Sequence, residues 1–426
     1  MLDEPAPRDG ASPAQPPRVT DADLARAVSG VGLTAVFQPI VSLADESIVG
    51  FEALSRWLMF DEPHAELVFE YAARNDRLEE LDHLCIQSTI DAAAHAALPE
   101  DVLLLINCEP ASAFFAGRAD TPAGGGRHRR QLVFEVTERE LLTHTDALLR
   151  KVAAIRSAGF AVALDDVGAR PSLSSALDVV GPDLVKLDMS IVRAQSRDEI
   201  AHIMTAVSAY QQRSGAVILA EGIENAQHRE QATAAGATLG QGYLFGKPGP
   251  LSRPFPPPWT LQRRRQVTDV DGTPFEVVSG STEVRVTRKP TLVALSRRIE
   301  EYALRAAEFP IVLSAMQHGR HYTSATRARY AGLATSSALV VVYGRDMPAD
   351  VGAGVRAVQL NPSDPLSRDW MVLTLGPLSA AALVARDRTG PDDVEVAESE
   401  RLFDFAVTYD RDMVAALARH LLRRMD

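Results

Sequence analysis

Seven polar groups stand at or near the ends of apolar runs: Asn107 ends VLLLIN, Glu135 lies near the end of QLVFEV, Asp165 and Asp166 end FAVALDD, Lys186 and Asp188 end DLVKLD, and Glu221 ends AVILAE. Each has a plain reading when taken singly. An acidic residue after a strand is more often a helix cap than a ligand, which fits Asp166 and Glu221. Asn107 alone could cap the following turn, and Lys186 alone could be a solvated strand end. Taken jointly, the acidic groups crowd negative charge into one place, and like charges that close need a counter-charge. A divalent cation is the simplest one. The candidate donors are oxygens, with no His or Cys among them, which suits Mg²⁺ or Mn²⁺ rather than a structural zinc. The adjacent Asp165 and Asp166 could serve two ions, and two ions a few ångströms apart can activate water and neutralise a phosphoryl transition state. Lys186 among them would orient the water or the developing charge.

Such groups converge only if the runs that carry them are parallel neighbours. From Leu33 to Gly249, short apolar runs alternate with amphipathic stretches such as DALLRKVAAIRSAG. Apolar strands separated by helices predict a parallel sheet covered on both faces. The number of units favours a closed β/α barrel, whose strand ends share one mouth. Before it, DADLARAVSG reads as a short helix capped by Asp21 and ended by Gly30. Residues 1–20 read as a disordered tail with no secretory leader, and Gly117–Arg130 as a flexible basic surface loop. A barrel domain is assigned to residues 21–250, a Pro-rich linker to 251–262 and a second α/β domain to 263–426.

Composition narrows the function classes. The formal net charge of −12 argues against duplex DNA as the main partner. Two cysteines, Cys85 and Cys108, are too few for a disulfide scaffold and read as reduced thiols. No apolar run approaches the roughly 20 residues of a membrane helix, so no membrane span is expected and the chain reads as cytoplasmic.

At this point the ordered motifs resemble a known family. Glu52-Ala53-Leu54, in FQPIVSLADESIVGFEALSRW, is similar to the tripeptide from which EAL-domain phosphodiesterases take their name. INCEP, FEVTE, ALDDVG, KLD, AEGIEN and QGYLFGKP follow in the family's order, from about Leu33 to Pro248. The resemblance implies a modified TIM-type (β/α) barrel that hydrolyses cyclic di-GMP to the linear dinucleotide with Mg²⁺ or Mn²⁺, two ions in all. It implies Glu52, Asn107, Glu135, Asp165 and Asp166 as metal ligands, and Lys186, Glu221 and Glu138 as catalytic or supporting groups. Gln38, Arg56, Asp188 and Gln241 are implied on the substrate side, and a homodimer through the EAL domain is implied as well.

One loop departs from the family pattern D-D-F-G-T-G: here Asp165-Asp166 is followed by Val167-Gly168-Ala169-Arg170-Pro171. Lost glycine removes backbone freedom and proline stiffens the loop. A degenerate receptor or scaffold that binds cyclic di-GMP without cleaving it is therefore the alternative reading. A different metal-dependent barrel enzyme would share the fold but not the ordered motifs.

The second domain, with RKPTLVALSRRIEEY and SALVVVYG, resembles the DICT sensory domain; a dimerisation module is the alternative. Within it, His318, His321 and Tyr322 in MQHGRHYTSA form either a ligand site or a surface turn.

Overall fold

The computed structural model describes residues 19–60, 64–116, 131–169, 174–193, 197–262, 270–306, 308–388 and 397–425. The tail through residue 18, the Gly117–Arg130 loop and the Arg170–Pro171 part of the departing loop lie outside the described residues.

The first helix, α1 (Asp21–Val28), opens on a capping box in which Thr20 and Asp23 bond each other's backbone N–H. The cap is thus Thr20 and not Asp21, because a cap residue must stand just outside the helix with extended backbone. Gly30 follows with φ of +81°, in the left-handed turn after the helix.

Eight strands close a barrel: β1 (Leu33–Ser42), β2 (Ile48–Trp57), β3 (Leu103–Asn107), β4 (Leu132–Thr137), β5 (Ala161–Val167), β6 (Leu184–Leu187), β7 (Val217–Ala220) and β8 (Leu239–Gly240). β1 runs antiparallel to both β2 and β8, and the remaining pairs are parallel. The helices around it are α2 (Ala65–Arg74), α3 (Leu78–His95), α4 (Glu140–Thr143), α5 (Thr145–Ser157), α6 (Ala176–Val180), α7 (Met189–Arg193), α8 (Arg197–Ser214) and α9 (Ala226–Ala234).

Alternation along each strand sets the interior. Leu103, Leu105, Val133, Ala161, Ala163, Leu184 and Leu219 form one buried cluster inside the barrel. Two residues beyond its upper members stand Asn107, Glu135, Asp165, Lys186 and Glu221. A strand repeats its facing every two residues, so these five make the next inward layer, at the mouth. At the other end Leu261 joins the interior cluster, and Gln131 holds the segment there, donating to the Trp259 carbonyl at 2.6 Å and accepting from the Leu261 N–H at 3.1 Å. The Pro-rich stretch therefore closes the barrel floor.

The second domain comprises α10 (Pro274–Ser279), β9 (Arg285–Arg288), α11 (Lys289–Arg305), β10 (Ile311–His318), α12 (Ser324–Ala334), β11 (Leu339–Arg345), β12 (Val355–Gln359), β13 (Asp369–Leu375), β14 (Ala380–Asp387), β15 (Leu402–Thr408) and α13 (Arg411–Leu422). Its sheet has the order β12-β11-β10-β13-β14-β15-β9. α11 and α12 cover one face, through Leu292 and Ile299 against Val372 and Leu383, and Tyr330 and Leu333 against Val312 and Val342. α13 covers the other face and also packs on α5 and α6, so a single apolar cluster runs from the barrel helices into the second sheet. No helix among the described residues is long and apolar enough to cross a membrane.

Candidate active site

The mouth of the barrel is organised around one ammonium group. Lys186 is 1% exposed, and its Nζ lies 2.8 Å from Glu221 Oε1, 2.9 Å from Glu135 Oε1, 3.2 Å from Asp165 Oδ2 and 3.4 Å from Glu52 Oε1. Burial alone would discharge the lysine, but the four carboxylates outweigh it and hold Lys186 well above its ordinary range.

The carboxylates divide by environment. Glu52 is lowered: burial opposes its charge, but Lys186, Gln241 and Asn107 together overcome that. Gln241 Nε2 donates to Glu52 Oε2 at 2.5 Å and lies 3.0 Å from Gln38 Oε1, while Asn107 Nδ2 donates to Glu52 Oε1 at 3.2 Å. Glu135 is pushed well up by burial and by its neighbour Glu52. Glu221 is pushed to about 8 by burial, with Asp165 and Glu52 adding to the rise that Lys186 opposes.

Asp166 reaches the mouth by a different device. Neighbours in a regular strand point to opposite faces, so Asp165 and Asp166 cannot both face inward without a break. The β5–β6 register shifts between Leu164 and Val167, and Asp166 takes a φ of +58°. Such a bulge re-aims a side chain, and Asp tolerates the left-handed region better than most residues. As a result Asp165, Asp166 and Glu221 each offer an oxygen within 4.8 Å of the others. Burial and the adjacent Asp165 push Asp166 upward. Neither it nor Glu221 caps a helix, since the caps of α6 and α9 are Ser175 and Asn225.

This donor set fits divalent cations. It consists of carboxylate and amide oxygens, the ligands hard cations prefer. Glu135 Oε1 meets Lys186 Nζ, but its buried Oε2 has no hydrogen-bond partner among the described residues, and a buried acceptor in that condition calls for a further partner.

The remaining expected residues take several places. The Glu138 backbone N–H donates to the Asp165 carbonyl at 3.2 Å, tying the ends of β4 and β5 together. Asp188 Oδ1 accepts from the Ser190 N–H at 2.7 Å, a local turn at the start of α7. Arg56 stands beside the cluster: its guanidinium donates to the Ser55 carbonyl at 2.8 Å and lines a groove of about 470 Å³ with Asn107, Glu135 and Arg139. In the departing loop, a Cβ on Gly168 would lie 2.7 Å from the Ile191 side chain, and φ there is +101°. Both thiols are buried; burial raises Cys85 to about 12 and raises Cys108 as well.

Residues 21–248 match the family model described as the EAL domain. The chain belongs to the EAL-domain family. Residues 276–388 match the model described as a sensory domain in diguanylate cyclases and two-component systems, DICT. The EAL protein is 29% identical over 245 residues to the probable cyclic di-GMP phosphodiesterase PdeG of Escherichia coli K12, covering 53% of this chain and 46% of that one. It is 25% identical over 240 residues to the cyclic di-GMP phosphodiesterase RocR of Pseudomonas aeruginosa, covering 54% and 60%. The chain thus spans less than two thirds of the length of these curated relatives. Among solved structures, the calcium and cyclic di-GMP complex of Klebsiella pneumoniae BlrP1 is 27% identical, with a TM-score of 0.44, covering 55% of this chain and 58% of that one.

One supporting network of the EAL barrel was missed by reading motifs alone. Asp82, 1% exposed in α3, accepts from Lys151 Nζ at 3.2 Å, from the Glu109 N–H at 3.0 Å and from the Ser112 hydroxyl. It thereby fixes the segment that follows Asn107. The signal was present: Asp82 shares a helical stripe with the buried Cys85, Ile86 and Thr89, and a charge on an apolar stripe needs a buried partner.

Proposed function

We propose that the barrel hydrolyses cyclic di-GMP in a divalent-metal-dependent reaction and that the second domain regulates it. The observation that carries the reading is the Lys186 ammonium held by four carboxylates at the barrel mouth, with Asp165, Asp166 and Glu221 converging beside it. The cyclic di-GMP phosphodiesterases among the relatives supply the substrate class.

Asp165, Asp166 and Glu221 would hold one ion, and Asp165 with Glu52, Asn107 and Glu135 another. The chemistry such ions supply when bound is Lewis acidity toward a phosphodiester and easier deprotonation of water. The chain's own groups do the rest. Lys186 stays charged in its carboxylate cage and orients a water or steadies charge developing on the phosphate. Gln241 and Asn107 lock Glu52 in one rotamer, so the site is organised before substrate arrives. Arg56 and Arg139, along the groove, offer cations to the substrate's phosphates.

Regulation rests on α6, which follows the loop after Asp165 and Asp166. The Asp178 carboxylate of α6 accepts from Arg411 of α13 at 2.7 Å and from Arg213 at 3.2 Å, and its backbone carbonyl accepts from Arg419 at 3.2 Å. Ser175 donates to the Phe309 carbonyl at 2.9 Å. The second domain thus grips the element next to the metal loop.

The test is turnover of cyclic di-GMP by the purified full chain in Mn²⁺ or Mg²⁺, with Glu52→Ala alongside. Linear product from the wild type and none from a folded Glu52→Ala is the expected result. Tight binding in chelator with no turnover in metal would instead favour a receptor, the reading that the departing loop supports.

A further inference from the structure

In the second domain, β10 runs beneath the gap between α11 and α12. Ser314 and Met316 of β10 face that gap and pair directly with Val372 and Trp370 of β13. These four, with the two helices as walls, enclose a cavity of about 520 Å³, and most of the surface it presents is apolar. That is the size of small-molecule pockets, roughly 300–1,000 Å³. Met316 and Trp370 are cross-strand partners, so a thioether and an indole lie side by side on its floor. Both groups favour contact with an aromatic ring.

The charges on the wall are already matched. Glu300 accepts from Arg329 Nε at 2.5 Å and from the Tyr330 hydroxyl at 2.9 Å, and Glu398 pairs with Lys289. Arg320 is engaged as well, its Nε facing His321 Nε2 at 3.5 Å. His321 adds no charge near neutrality, since burial and then the nearby Lys289 hold it down to about 4. The remaining cation of the lining, Arg297, is exposed and keeps its water. A buried anion needs a desolvated cation of its own, and a buried cation needs an unpaired carboxylate. The lining offers neither, so the cavity suits a neutral molecule.

An independent observation is Ser296 of α11, which lines the same cavity at 4% exposure. Its hydroxyl has no hydrogen-bond partner among the described residues, not even the backbone carbonyl one turn earlier that helical serines commonly use. The other hydroxyls deep in the cavity are satisfied: Ser314 donates to the Met371 carbonyl at 2.9 Å and accepts from the Tyr330 hydroxyl at 2.9 Å. A buried hydroxyl left unpaired is a standing cost, which one polar atom of a ligand at that wall would remove.

We propose that this cavity binds a small neutral aromatic molecule, its ring against Met316 and Trp370 and its one hydroxyl or ring N–H paired with Ser296. A sugar or a nucleotide is disfavoured. Either would bring several hydroxyls to a wall built of Val293, Met316, Trp370 and Val372, where they would go unpaired. The site does not depend on the chemistry of the barrel, and its test reads binding rather than turnover.

The test is calorimetric titration of the full chain with three probes: indole, 1-methylindole, which lacks the ring N–H, and the anion indole-3-carboxylate. Indole is expected to bind with Kd below about 300 μM, 1-methylindole roughly fivefold more weakly and the carboxylate at least about tenfold more weakly. Ser296→Ala should weaken indole roughly fivefold and leave 1-methylindole unchanged, so that the two bind alike. Met316→Trp should fill the cavity and abolish binding. Alanine is the best helix former, so Ser296→Ala keeps the test decisive even if Met316→Trp misfolds. The proposal is overturned if indole does not bind up to about 3 mM, if the carboxylate binds as tightly as indole, if Ser296→Ala leaves the preference for indole over 1-methylindole unchanged, or if a folded Met316→Trp still binds indole.

Discussion

Replacing Lys186 with methionine keeps the apolar stem and removes the charge. In the wild type that charge lies 2.8–3.4 Å from four carboxylate oxygens in a site from which water is nearly excluded. Breaking a buried ion pair by deleting one partner costs about 3–5 kcal/mol, because the other charge is left uncompensated. Protonation limits the loss: Glu135 already lies well above its ordinary range and Glu221 at about 8, so two of the four can neutralise cheaply. The lower end, about 3 kcal/mol, is therefore expected, and for a domain of this size it lowers the melting midpoint by roughly 6–12 °C. A divalent cation should restore more of that midpoint in Lys186→Met than in the wild type, since it replaces the missing positive charge. Turnover should fall by about 10²–10⁴-fold even where metal binding is retained or strengthened. The assay is thermal melting in chelator and in Mn²⁺, with hydrolysis followed in parallel. A variant that melts within about 2 °C of the wild type in chelator would refute the view that the ammonium compensates the carboxylates.

Asp82→Ala should destabilise the barrel by about 3–5 kcal/mol in urea melts, and Lys151→Met added to it should recover part of the loss, because the stranded buried ammonium is removed. Asp178→Ala should cost about 1–3 kcal/mol and split thermal unfolding into two transitions, as Arg411 and Arg213 lose their shared acceptor. His321 has a folded value of about 4 against 6.5 when exposed, so the folded domain favours the neutral ring. Its contribution is present above pH 6.5 and lost as pH falls toward about 4; His321→Gln should flatten that acid-side loss in melts taken across the window.

The barrel was legible because its signal is strictly local. Each apolar run bounded by a helix announces a strand, and a polar residue two places beyond an inward leucine or alanine announces the mouth layer, as for Leu105 and Asn107 or Ala163 and Asp165. β8 was not legible as a run, because it is two residues long and is held by pairing to β1 and β7. The motif order located Glu52 and Gln241 but not their bond, since 189 residues separate them. The closing stretch of the chain divides into β15, which pairs with β14 from Phe403 to Thr408, and α13, which Asp410 caps. His318 and His321 were left between a ligand site and a surface turn. Both belong to the turn, His318 as the cap of Gly319–His321, while His321 also faces the cavity.

The departing loop and the second domain bear on each other. The family resemblance assigns the loop after the two aspartates to metal support and to contacts between copies. In this chain α6, just beyond that loop, is buried under α13 of the same polypeptide, with Asp178 serving residues from both domains. With α6 held by an attached domain, the chain has less need of the aromatic that the family pattern carries at the position of Val167. The substitutions at Val167 and Ala169 then make physical sense as adaptation to a partner in cis. Gly168, kept where a Cβ would strike Ile191, marks the point at which the backbone could not be changed. If so, restoring the family residues at Val167 and Ala169 should leave Asp165, Asp166 and Lys186 where they are and instead weaken the hold of α13 on α6, visible as earlier melting of the second domain.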